Sequence, residues 1–230
     1  LRSAPFSGEA REVSRTIGIL CALPAELGGL RAHERATRTR AGLEIHELEI
    51  AGRPALACVG GVGKVLAARA AALLVAEGAE RALLVVGTCG GLRAPLRPGS
   101  LVHCTVAAQV DSAQRHLREL GSDEVLRRAW QKVLPGEQGW FLTADRPVLS
   151  FWRRLRLARA FAGPCVAEME TAAAAVVAAS AGVPWAALRA VTDRASLGAG
   201  ASFRIHFGAQ ASRAADSIPA LLEELERAGA

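Results

Sequence analysis

Short apolar runs alternate with alanine-rich or amphipathic stretches from residue 17 onward. Ile17-Gly18-Ile19-Leu20-Cys21 and Ala82-Leu83-Leu84-Val85-Val86 are continuous apolar runs of strand length, as expected for strands buried on both faces. Residues 44–50 and 54–59, joined by Ala51-Gly52-Arg53, predict a β-hairpin. Its imperfect alternation, Ile45, Glu47 and Glu49 against His46, Leu48 and Ile50, places it at one edge of the sheet. Further strands are expected over 100–108, 139–143, 165–167 and 185–191. Helical stretches are expected over 27–32, 65–76, 151–160 and 171–181, and over 123–134, where Val125, Leu126, Ala129, Trp130 and Val133 keep a helical period. A closing helix over 214–228 turns Leu221, Leu222 and Leu225 inward, with Pro219 tolerable only in its first turn. Strands alternating with helices predict an α/β fold with helices on both faces of the sheet. No linker or repeat divides the chain, so one domain over 17–230 is expected after an N-terminal extension, 1–16.

Composition narrows the class. A chain of 230 residues, 51% hydrophobic and 22% charged, can bury one core without metals or disulfides. The longest apolar stretch, 171–181, falls short of the roughly 20 residues that cross a bilayer, and the first 15 residues lack a signal-type apolar segment. Cysteines at 21, 58, 89, 104 and 165 sit in apolar segments and form no CxxC pair, which points to a reduced, cytoplasmic protein. His33, His46, His103, His116 and His206 form no metal-ligand spacing, so no metal and no cofactor are expected. The net charge of +6 is carried almost wholly by arginine, and with no tyrosine and 4% aromatic residues no nucleic-acid partner is expected. Arg153, Arg154, Arg156 and Arg159 lie among Trp152, Leu155 and Leu157; a solvated helix face is favoured there over a membrane surface.

Candidate chemistry gathers at predicted strand ends. Gly60-Gly61-Val62-Gly63-Lys64 resembles a phosphate loop but fails as one, because Cys58 stands at its first glycine and Val65 at its metal-binding hydroxyl. Close approach of a ligand or neighbouring strand explains these glycines better. Gly87-Thr88-Cys89-Gly90-Gly91-Leu92 reads as a second glycine-rich turn. Glu26 follows the first strand, where a helix first-turn glutamate is the ordinary explanation. Glu168 and Glu170 follow the strand over 165–167, and Asp193 follows Arg189 at the end of the strand over 185–191. Carboxylates are costly to bury, so acids in these places need partners or a task. Such a set can hold a polyol by its hydroxyls while one acid and one base act on a glycosidic bond. A structural salt-bridge network fits the same residues equally well.

Four blocks, 17–26, 60–65, 87–102 and 166–193, together resemble the purine nucleoside phosphorylase and nucleosidase superfamily, in particular its methylthioadenosine/S-adenosylhomocysteine nucleosidase branch. Glu168-Met169-Glu170-Thr171 followed by Arg189-Ala190-Val191-Thr192-Asp193 carries most of the likeness. The resemblance implies a single α/β domain with a central mixed, partly barrel-like sheet flanked by helices, acting as a homodimer on a small-molecule nucleoside. It implies Asp193 as general acid toward N7 of the purine, Glu26 as general base for water, and Arg189 and Thr88 as positioning groups. Glu170 would accept the ribose hydroxyls, Met169 would pack on the sugar, Glu168 would support the set, Gly87 would lie in the binding turn and Val148 beside the base. Related phosphorylases carry arginines where this chain has residues 22–26 and Val85, which favours hydrolysis over phosphorolysis. A phosphorylase and a nucleoside-binding domain without turnover are the alternatives. Two departures bear on the substrate: Pro147 stands where the branch has an aromatic residue stacked on the purine, and the segment after Asp111 is short and arginine-rich.

Overall fold

The computed structural model describes residues 16–112 and 119–229. The expected extension 1–16 and the segment that follows Asp111 therefore lie almost wholly outside the described residues. Along the chain run β1 (Ile17–Cys21), a 3-10 segment (Pro24–His33), β2 (Glu34–Arg40), β3 (Leu43–Ile50), β4 (Arg53–Val59), α1 (Lys64–Ala76), β5 (Ala82–Gly91) and β6 (Leu101–Gln109). After these come β7 (Glu119–Gly121), α2 (Glu124–Val133), β8 (Glu137–Thr143), α3 (Phe151–Ala160), β9 (Cys165–Glu168), α4 (Thr171–Ser180), β10 (Trp185–Asp193), α5 (Ala199–Gln210) and α6 (Ile218–Arg227).

The sheet order is β10-β6-β8-β9-β5-β1-β4-β3-β2, with β7 on β6, and an added β10–β5 pairing closes β5, β10, β6, β8 and β9 into a barrel. The sheet is mixed: β1 runs parallel to β4 and β5, and β5 to β10, whereas β9 meets β5 and β6 meets β10 antiparallel. The apolar runs at its centre divide by parity, as two-sided burial requires. Ile17, Ile19 and Cys21 join Leu84 and Val86 in one core cluster, and Leu20 joins Leu83 and Val85 in another.

Each face has its own helical cover. On one, Ala67, Ala70 and Ala71 of α1 and Ala172, Ala174, Ala175 and Ala178 of α4 are buried in the same cluster, so the alanine runs allow two helices to approach closely. On the other, Leu27 and Leu30 of the 3-10 segment pack with Leu126 and Trp130 of α2 and with Ile218, Leu221, Leu222 and Leu225 of α6. Asp123 caps α2 by accepting from Leu126 N at 2.9 Å, and Pro219 lies in the first turn of α6.

Several expectations need correction. The stretch 87–92 is no turn: β5 continues through Gly91 with all ten residues buried. The β3–β4 hairpin is not the edge, because β2, polar and mostly exposed, pairs outside it on β3. The helix expected over 27–32 is a 3-10 segment broken at Gly28, which has φ +55°. Helix α5 and the short β7 were not foreseen, and β9 and β10 run on to Glu168 and Asp193, so these carboxylates end their strands rather than follow them.

Candidate active site

Strand geometry brings the four acids to one place. A cavity of about 340 Å³ is lined by Glu26, Glu168, Glu170 and Asp193 and by Thr88, Arg189, Met169 and Val148. The first strand ends at Cys21 and the chain turns at Pro24, which sets Glu26 in the first turn of the 3-10 segment with 1% exposure. Its Oε2 accepts from Ala22 N and Leu23 N, each at 3.0 Å, and its Oε1 accepts from Thr88 N at 2.9 Å and Thr88 Oγ1 at 3.0 Å. The first-turn glutamate and the site carboxylate are thus one arrangement rather than two alternatives.

Asp193 ends β10 beside Gly90 of β5. Its Oδ1 accepts from Ala195 N at 2.7 Å and its Oδ2 from Thr192 Oγ1 at 3.0 Å. Burial pushes its pKa above the ordinary aspartate value, and the two hydrogen bonds offset this only in part.

Two glycines of β5 make room for these acids. A Cβ on Gly87 would stand 2.7 Å from Glu26 Oε1, and one on Gly90 would stand 2.9 Å from Asp193 Oδ1. Gly87 does not line the cavity; it lets Glu26 lie against the strand.

Arg189, 2% exposed, joins the remaining acids. Its Nη2 lies 3.0 Å from Glu168 Oε2 and 3.0 Å from Glu170 Oε2, its Nη1 donates to Thr88 O at 2.9 Å, and its Nε donates to Thr171 Oγ1 at 3.3 Å. Burial opposes its charge, but Glu168, Glu170 and Glu26 outweigh that and hold the guanidinium protonated. Glu168 also accepts from Glu170 N, Thr171 N and Thr171 Oγ1 at 2.7–2.9 Å, and from Thr143 Oγ1. Glu170 Oε1 accepts from Gly63 N at 2.9 Å, which ties the 60–64 loop to the site. Burial raises the Glu170 pKa, Arg189 lowers it and Glu168 raises it, for a net upward shift. Glu168, Glu170 and Glu26 thus share one buried guanidinium, an acidic surplus that adds to the upward shift of Glu170.

The predicted residues therefore meet, except that Gly87 stands behind Glu26. Sequence reading missed Leu23, Val62, Cys89, Gly90, Thr192 and Phe203, which also line the cavity. Phe203 belongs to α5; its pairing with Phe207, ring centroids 4.7 Å apart at helical spacing, was the available signal.

Known proteins share this fold. The 5′-methylthioadenosine/S-adenosylhomocysteine nucleosidase of Actinobacillus succinogenes is 27% identical over 229 residues, covering 91% of this chain and 99% of that protein. The crystal structure of the Neisseria meningitidis nucleosidase of the same name, in complex with methylthio-immucillin-A, superposes with a TM-score of 0.85 at 26% identity, covering 92% of this chain and all of that one (100%). Futalosine hydrolase of Helicobacter pylori shares the fold, with a TM-score of 0.85 at 22% identity over 92% of this chain and 99% of that one. A family model described as the Phosphorylase superfamily matches residues 16–226, nearly the whole of the described fold, and the chain belongs to that superfamily.

Proposed function

We propose that the chain is a nucleosidase that hydrolyses the N-glycosidic bond of a purine nucleoside, in particular a 5′-substituted adenosine derivative, and releases the free base. The observation that carries this reading is the pair of unlike carboxylates on one cavity. Asp193, whose burial raises its pKa, gives its proton to N7 of the purine. The bond from the anomeric carbon to N9 then breaks with its electrons on the base, through an oxocarbenium-like state. Water adds to that carbon, and Glu26 takes the water's proton. Four donors face the Glu26 oxygens, and Thr88 Oγ1 is the one among them that can rotate away to admit the water.

Glu170 keeps acceptor capacity beyond its bonds to Gly63 and Arg189, and this takes the ribose hydroxyls. Met169 packs on the sugar, Val148 lies beside the base, and Glu168 and Arg189 hold the set in place. A phosphate dianion would face Glu26, and Arg189 already serves Thr171, Thr88, Glu168 and Glu170, which favours water over phosphate as nucleophile. Two of the three named relatives are nucleosidases of 5′-methylthioadenosine and S-adenosylhomocysteine, which supports a 5′-substituted substrate here.

A homodimer is part of the same proposal. Val62 and Phe203 line the cavity, and close to them in sequence Val65 (80% exposed), Leu197 (85%) and Ile205 (75%) present apolar side chains. Sedimentation of a monomer at micromolar concentration would remove it. Five free, buried cysteines support a reducing compartment, the cytoplasm.

The test is a panel of adenosine, inosine, methylthioadenosine, S-adenosylhomocysteine and futalosine, each with and without phosphate, assayed for free base. Base release without phosphate is expected. Release that requires phosphate and yields ribose 1-phosphate would make the protein a phosphorylase; tight binding with no release would make it a binding domain.

A further inference from the structure

The motif Gly60-Gly61-Val62-Gly63-Lys64 is not explained by the chemistry above, apart from the bond from Gly63 to Glu170. Lys64, one of two lysines in the chain, opens α1 with its side chain 15% exposed. Its Nζ lies 2.6 Å from Asp111 Oδ1 and 3.1 Å from Asp145 Oδ2. Asp145 N in turn donates to Asp111 Oδ2 at 2.8 Å, so Asp111 bridges the ammonium and a backbone amide. Three separate segments meet in this clamp: the start of α1, the end of β6, and the stretch between β8 and α3.

The last of these forms a wall of the cavity. Arg146, Pro147, Val148 and Leu149 all line it, and they follow Asp145 directly. Within that stretch only Val148 is buried; Arg146, Pro147 and Leu149 are exposed, so packing alone holds it weakly. A second, longer tie runs from Arg153 Nη1 to Arg146 O at 3.3 Å. On the other side of Lys64, Gly63 N holds Glu170 at 2.9 Å. Adjacent residues of one motif thus fix a carboxylate of the site and the wall that stands beside it.

We propose that Lys64 is a positioning residue for the nucleoside: through Asp111 and Asp145 it holds the wall 146–149 against the base, while the neighbouring Gly63 amide holds Glu170. The proposal rests on the nucleosidase reading for its substrate, and on the hydrogen-bond geometry alone for the clamp. Lys64 is absent from the cavity lining, so its effect passes through the wall and not through contact with the reacting atoms. The ammonium suits the task because its three donors can serve carboxylates arriving from two loops at once. Burial opposes its charge, but the hydrogen bonds and charges of Asp111 and Asp145 outweigh that and keep it protonated.

The test compares Lys64→Met, Lys64→Arg, Asp145→Asn and the double variant Lys64→Met/Asp145→Asn, with Lys132→Met as a control for loss of a surface lysine. For Lys64→Met the expected result is a KM raised about tenfold with kcat within about threefold, the pattern of lost uniform binding. Lys64→Arg recovers most of that KM, Asp145→Asn raises KM in the same direction, and the double variant adds little to either single change. Lys132→Met leaves both constants unchanged. Hydrogen–deuterium exchange reads the clamp without any substrate: protection over 145–149 falls in Lys64→Met while protection over 168–171 stays. A wild-type chain that releases no base from any nucleoside defeats the nucleosidase reading, yet the exchange pattern still judges the clamp. An unchanged exchange pattern, a kcat that falls with KM fixed, or losses that merely track the melting temperature would overturn the proposal.

Discussion

Glu26 and Asp193 line the same cavity, each against a glycine of β5, yet they are held in opposite ways. Glu26 accepts four hydrogen bonds, three of them from backbone amides, and is 1% exposed. Asp193 accepts two, is 8% exposed, and its pKa is pushed up by burial. In the proposed reaction, amides surround the acid that receives a proton, and an apolar setting with few donors surrounds the one that gives a proton away. The difference teaches how one fold can give two chemically similar side chains unlike surroundings, four donors around one and two around the other.

Changing each carboxylate to its amide exploits that difference. Asp193→Asn is expected to lower kcat by roughly 10⁴-fold, at the upper end for loss of a positioned acid. Its melting temperature should hold or rise, because a carboxyl penalised by burial is removed. The sign follows from the raised pKa: the stabilising part of Asp193 is fully present below its ordinary value near 3.8 and is lost as pH rises through the folded value. The variant's relative stability should therefore improve between acid and neutral pH, as thermal melts across that range would show. In the wild type, kcat/KM should fall as pH rises through the same ionisation. Glu26→Gln is expected to cost roughly 10²- to 10³-fold in kcat, and also about 1–3 kcal/mol of stability, because the new amide NH₂ faces backbone donors that lose their acceptor. Equal stability losses in the two variants would remove the contrast.

Next in size come the glycines. Gly87 has φ +148°, and an added Cβ would stand 2.7 Å from Glu26 Oε1 and 2.9 Å from Glu26 Cδ. Gly87→Ala should lose about 10²-fold in activity and about 1–3 kcal/mol of stability, through combined backbone strain and displacement of Glu26. At Gly90 the backbone is ordinary, and the new methyl would meet Asp193 Oδ1 at 2.9 Å and Ala195 Cβ at 3.0 Å. Gly90→Ala should then cost about tenfold in activity with less than about 1 kcal/mol in stability, since only the packing contact has to give. Chemical denaturation beside steady-state kinetics separates the two.

These glycines also show what the sequence made legible. The apolar runs of β1, β5 and β10 announced buried strands, while the acids near their ends fitted a site and a salt-bridge network equally well until the resemblance was added. Gly87-Thr88-Cys89-Gly90-Gly91 has the composition of a turn, however, and the close approach of Glu26 to Gly87, of Asp193 and Ala195 to Gly90 and of Leu96 to Gly91 explains why a strand carries glycine there. Local propensity cannot see a tertiary approach. For a similar reason β2 escaped: Glu34-Arg35-Ala36-Thr37-Arg38-Thr39-Arg40 is an edge strand whose partner is β3 alone, so it needs no apolar face. Helix α5 buries only Ala199, so apart from the Phe203 and Phe207 pair it leaves no amphipathic period to read. Glu26 was legible as a helix-start glutamate, and that was correct as far as it went; Thr88, 62 residues away in sequence, supplied the rest.

The smallest predicted effects come from the two hydroxyls. Thr88 Oγ1 donates to Glu26 Oε1 at 3.0 Å, and Thr192 Oγ1 lies 3.0 Å from Asp193 Oδ2 and 3.2 Å from Cys89 O. Valine at either position keeps the shape and removes the donor. Thr88→Val leaves Glu26 Oε1 with the Thr88 amide, so the carboxylate stays in place while the rotating donor that yields to water is gone. The expected result is a kcat lowered about three- to tenfold. At Thr192 the hydroxyl pulls the Asp193 pKa down, so Thr192→Val should let it rise further and shift the alkaline limb of kcat/KM to higher pH, with a near-normal plateau. One hydroxyl would change the height of the profile and the other its position. If Thr192→Val changed only the height, the Thr192 hydroxyl would not be what tempers the ionisation of Asp193.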